Sequence, residues 1–188
     1  PPPARESPPP AATGAPFTLS LGLGAAGAVG LLPSASAAVR GIARLERAGS
    51  RWSFEWSAGY SLPQSFGSRA VQGTVSAVDQ QVRACVALTH ELATRVDACG
   101  GAFWGAIVPR TVGLAERNDT WRPLAGPVGA LAVQVKDGPR AGRLELGITA
   151  PVVGRTLYFQ SAEAELVRLY STGTVIVFFG ASGLLSFL

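Results

Sequence analysis

Residues 51–62 read RWSFEWSAGYSL, and their alternation decides the fold. Trp52, Phe54, Trp56, Ala58, Tyr60 and Leu62 fall on one side, and Arg51, Ser53, Glu55, Ser57, Gly59 and Ser61 on the other. In a strand successive side chains point to opposite faces, so the two sets separate cleanly. A helix would set Glu55 beside Trp52 and Trp56 and push a carboxylate into the apolar stripe. The stretch reads as a β-strand with one wholly apolar face.

The same period runs through the chain in both directions. Upstream, Phe17, Leu19, Leu21 and Leu23 oppose Thr18, Ser20, Gly22 and Gly24 as far as Val29. After a Pro33-Ser34 turn, Ala37, Val39, Gly41, Ala43 and Leu45 oppose Arg40, Ile42, Arg44 and Glu46, and Ala48-Gly49-Ser50 reverses the chain. Downstream, alternating stretches cover 81–88, 95–106, 127–135, 143–152 and 174–187, with Lys136-Asp137-Gly138-Pro139 as a tight turn. About eight strands result, most of them longer than the usual five or six residues.

Composition bounds the alternatives. The 188 residues fit one domain, and 15% charged residues with a mean hydropathy of +0.27 exclude a disordered chain. The net charge is +4, but the arginines are scattered singly rather than clustered, which argues against nucleic acid as a partner. Residues 1–16, PPPARESPPPAATGAP, read as a Pro-rich disordered linker preceding a barrel domain at 17–188. The sequence contains no Met, so an upstream portion is expected. Cys85, Cys99 and His90 cannot close a four-ligand zinc site without carboxylates, so no metal or cofactor is expected and the cysteines are either a buried pair or a disulfide.

Alternation alone does not say which face meets solvent. A soluble, lipocalin-like barrel hides its apolar face around a small-molecule pocket, whereas a membrane barrel turns it to lipid. Three observations favour the membrane. Connections after the second, fourth and sixth strands are short, and those after the third, fifth and seventh (63–73, 113–120 and 160–173) read as longer. The loop near 32–36 is short and does not fit this scheme. Aromatic residues lie near strand ends, Phe17, Trp52 and Phe187 at one rim and Tyr60, Trp121 and Tyr158 at the other, as two girdles require. The face opposite the apolar one mixes signs, with Arg40, Arg44, Glu55, Arg83, Asp97, Arg143 and Glu145 expected inside, where they must pair. A transmembrane helix over 17–39 is disfavoured by its glycines, by Pro33 and by the period-two leucines.

The closing segment, TGTVIVFFGASGLLSFL, resembles the last strand of bacterial outer-membrane β-barrels, although here Phe187 is penultimate. With the Pro-rich start, the cysteines flanking the middle turn and APVVGRTLYFQ at 150–160, residues 17–188 resemble small OmpA-like barrels, in particular barrel domains of myxobacterial proteins. The resemblance implies an all-β, eight-stranded antiparallel up-and-down transmembrane β-barrel in the outer membrane of a Gram-negative bacterium. Cys85 and Cys99 are equidistant from Leu92 inside their turn, so as inward partners of one hairpin they can reach disulfide distance.

No catalytic set is assigned. His90 lies on an expected periplasmic turn, and Asp79, Glu116, Asp119, Glu163 and Glu165 lie at or near the outer loops as solvated charges. The expected role is structural: a monomeric barrel held by outer-membrane lipid, tethering an upstream or periplasmic partner through residues 1–16 and presenting its outer loops for binding. An outer-membrane enzyme acting on lipid or peptide is the alternative alongside the soluble binding barrel.

Overall fold

The computed structural model describes residues 17–67, 72–89, 93–112, 121–153, 156–160 and 166–187. The Pro-rich segment 1–16, His90 and 113–120 lie outside the described residues. Ten strands follow in order: β1 (Phe17–Val29), β2 (Ser36–Arg47), β3 (Trp52–Gly67), β4 (Gln72–Ala87), β5 (Thr94–Val112), β6 (Arg122–Asp137), β7 (Arg140–Thr149), β8 (Thr156–Gln160), β9 (Leu166–Ser171) and β10 (Ile176–Phe187). Eight of them close a barrel in the order β1-β10-β7-β6-β5-β4-β3-β2, every neighbour antiparallel. The remaining pair, β8 and β9, forms a separate two-stranded sheet in the connection from β7 to β10.

The register sets the shape of the barrel. A row of partners runs Gly105, Asp79, Gly59, Arg40, Gly24, Ser182, Arg143, Gln134 and returns to β5 at Arg95, ten residues from its start at Gly105. With eight strands, that stagger tilts them about 40° to the axis, and a barrel of this size has an interior that side chains fill.

Two connections at one end are tight turns among the described residues. Gly49 (φ 72°) and Gly138 (φ 58°) take the left-handed conformation in the β2–β3 and β6–β7 turns, where a side chain would be strained. At the other end the sequence expectation needs correcting. The long loop read over 63–73 is mostly strand, since β3 continues through a register shift between Ser61 and Gln64 to Gly67, and β4 resumes at Gln72. The connection read over 160–173 contains β9. The misfitting loop after β1 turns into the barrel mouth, with Leu31 and Leu32 buried and Gln64 holding the Ser34 and Ala35 backbone.

Candidate functional site

The outer wall is apolar. Leu23 (78% exposed), Phe54 (61%), Leu144 (64%), Leu146 (59%) and Phe179 (57%) all point away from the barrel axis. From Trp52 to Leu62 the apolar face of β3 rises about 25 Å along the axis at this tilt, the height of a hydrocarbon-facing band. Between these levels no outward position among the described residues is ionised. The polar Gln80 accepts a 3.3 Å hydrogen bond from Trp56 Nε1. A water-facing wall of this composition would be unstable, and the pocket of a soluble binding barrel would need these side chains inside. The wall faces lipid.

The interior nearer the tight turns is ionic. Arg40, Arg44, Arg83, Arg95 and Arg143 face Glu46, Glu55, Asp79, Asp97 and Glu145, five of each sign among the described residues, so this set is formally neutral, and the exposed Lys136 adds one cation at the rim, 4.0 Å from Glu46. Nearest the turns, Asp97 accepts from Arg44 Nη1 at 2.8 Å and from Arg95 Nε at 2.7 Å, and Arg95 also pairs with Glu46. Further in, Glu55 bridges Arg83 and Arg143, and Glu145 Oε2 accepts from the same two guanidiniums at 2.8 and 2.9 Å. Arg40 donates to Asp79 at 2.9 Å, so Asp79, expected near an outer loop, lies instead inside the wall on β4. Burying these charges is tolerable only because each carboxylate has at least one guanidinium partner.

Toward the other end the interior becomes apolar. Val75, Phe103, Ile107, Leu124, Val128, Ile176 and Phe178 form one buried cluster with Leu31 and Leu32 from the β1–β2 loop. Phe178 occupies the space beside its register partner Gly147, where an added Cβ would stand 2.3 Å from the ring's Cζ. The other face of the junction is Arg40, whose guanidinium carbon lies 5.5 Å from the Phe178 ring centroid. Small, polar and charged residues are the expectation for the inward faces, and this apolar layer departs from it. The signal was present in the parity of Phe103, Ile176 and Phe178.

Cys85 and Cys99 are register partners on β4 and β5, both buried on the inward side, and form a disulfide. Phe17, Trp52 and Phe187 are exposed at the tight-turn rim. Tyr60 is exposed on the outer part of β3, and Trp121 is exposed just before β6. Tyr158 sits in β8, in the two-stranded sheet outside the barrel, rather than on a barrel strand. No cluster of metal-ligating side chains occurs among the described residues.

No protein-family model matches the chain, and no curated protein matches it significantly. Solved structures do. Ail, the attachment invasion locus protein of Yersinia pestis, solved with the heparin analogue sucrose octasulfate, matches with a TM-score of 0.58 at 11% identity, covering 91% of this chain and 99% of Ail. Neisserial surface protein A gives 0.55 at 7% identity, covering 92% and 98%. The N-terminal β-barrel domain of Pseudomonas aeruginosa OprF gives 0.50 at 10% identity, covering 89% and 97%. At these identities the likeness concerns the fold. Together with the lipid-facing wall, it gives the chain the fold of an eight-stranded transmembrane β-barrel, the fold of these small outer-membrane proteins.

Proposed function

We propose that the protein is a non-enzymatic anchoring barrel in the outer membrane of a Gram-negative bacterium, holding the Pro-rich segment 1–16 on the periplasmic side and offering its outer end as a binding surface. The observation that carries this reading is the filled interior. Neutral ion pairs occupy one half and an apolar layer the other, which suits a rigid fixture rather than a conduit.

The outer end supports the binding part of the reading. Among the described residues, β2 pairs with β3 only as far as Ser61 and β6 with β5 only as far as Ile107, while β3, β4 and β5 continue beyond as a three-stranded blade. Strands that extend past their neighbours in this way are natural places for a partner to dock.

Epitopes placed before Pro1 and within 113–120 test the arrangement in intact cells. External protease should remove the 113–120 epitope and spare the one before Pro1, with the chain in the outer-membrane fraction. Cleavage at Pro1 from outside, or recovery in the soluble fraction, contradicts the proposal. Stepwise ion conductance in a planar bilayer would replace the anchor by a pore.

A further inference from the structure

We propose that the tight-turn rim binds the phosphates of anionic phospholipids, at a band of arginines and aromatics centred on the seam between the first and last strands. The register builds this band. Arg47 pairs with Phe17, Leu19 with Phe187, and Leu185 with Arg140, while Glu46 opposite Ser53 sets Arg47 level with Trp52. Passing from β3 to β7, the rim therefore reads Trp52, Arg47, Phe17, Phe187, Arg140. Arg47 continues the outward parity of Ala43 and Leu45, and Arg140 that of Leu144 and Leu146, so both project from the lipid-facing wall just past its apolar band.

The rim contrasts with the interior. Every inward arginine of the network is paired, yet exposed Arg47, Arg51 and Arg140 make no ion pair among the described residues. Asp137 stands opposite Arg140 in register without pairing with it, and Lys136 reaches only Glu46, at 4.0 Å. Unpaired guanidiniums at headgroup level, flanked by aromatic side chains, match a phosphate ester in charge and geometry. A net negative headgroup is favoured over a zwitterionic one because, among the described residues, Arg47, Arg51, Lys136 and Arg140 outnumber Glu46 and Asp137 there.

Lipid retention tests this. The folded chain is reconstituted in a mixture of phosphatidylethanolamine and phosphatidylglycerol, extracted mildly, and the retained lipid counted by native mass spectrometry. Phosphatidylglycerol should be enriched over its bulk share by about fivefold for each arginine engaged. The enrichment should fall in R47Q/R140Q, persist in R110Q at the opposite end, and weaken as salt rises. Heat-modifiable migration on a gel verifies that each variant is folded. Equal retention of the two lipids by the folded wild type, or undiminished enrichment in folded R47Q/R140Q, overturns the proposal.

A separate observation orders two steps of assembly. The Cys85–Cys99 bond is enclosed, with Cys85 fully buried and Ser53 and Ala130 beside it in register, both buried. Oxidation by a thiol–disulfide oxidoreductase passes through a mixed disulfide. The two cysteine thiols lose two protons and two electrons, and the oxidant's disulfide leaves as a dithiol. The filled interior has no room for a second protein's cysteine, so we infer that the bond forms on the open β4–β5 hairpin, before the barrel closes. Chain folded in reduced form should keep both thiols when an oxidised thioredoxin-fold protein is added, while the urea-unfolded chain oxidises. Should the reduced chain not fold, the oxidised barrel is exposed to dithiothreitol, and its bond should survive until urea unfolds the barrel. Equal rates for folded and unfolded chain in either arm overturn the inference.

Discussion

The two halves of the barrel interior exclude water by different physics. Near the tight turns, Arg44, Asp97, Glu55, Arg83, Arg143 and Glu145 are tied by directional charge-assisted bonds. Toward the outer end, Phe103, Ile107, Leu124, Ile176 and Phe178 fill volume without directional demands. The wall around both is the same antiparallel sheet with the same lipid-facing exterior. The ionic half therefore depends on exact partners and the apolar half on size. The apolar layer also seals the ion pairs from the outer mouth, with Arg40 against Phe178 at the junction.

The sharpest way to break the ionic half is to remove its shared anion. Glu55→Ala strands two buried guanidiniums, and equilibrium unfolding in detergent with urea should show a loss of about 3–5 kcal/mol. A charge on the exterior probes the wall that the halves share. Leu146→Arg, on the lipid-facing side of β7 between Leu131 and Phe179, should cost about 2–4 kcal/mol in the same assay carried out in vesicles. The apolar half should be forgiving by comparison. Ile107→Val keeps the shape of a fully buried side chain and should cost about 0.5–1.5 kcal/mol. Beyond the apolar layer the effect should vanish, and exposed Arg110→Ala should stay within about 0.5 kcal/mol. An Ile107→Val loss as large as that of Glu55→Ala would erase the distinction between the halves.

The exterior was legible because it is one-sided: Trp52, Phe54 and Trp56 alternate with Ser53 and Glu55. Such a stripe shows in any window of a few residues. The inward charges were legible for the same reason. Their pairing was not, because Glu55 meets Arg143 across 88 positions, and that contact follows from the stagger of the closed sheet rather than from local spacing. The outer ends of β3 and β4 read as loop because Pro63 and the glycines at 67 and 73 interrupt the period, and a bulge carries the strand past them. The apolar inner layer was hidden because, near Phe178 and Phe179, both faces are apolar and alternation disappears. The β8–β9 pair, with Tyr158, has no signal that separates it from the wall.

The apolar stripes face hydrocarbon, and a single tryptophan can report it. Trp56 lies midway along the exposed face of β3, so a variant with Trp52, Trp104 and Trp121 changed to Phe isolates one fluorophore at the middle of the band. In vesicles whose lipids carry bromine at mid-chain, its emission should be strongly quenched, and an aqueous quencher should have little effect. Emission untouched by the brominated chains and quenched from water would contradict the account.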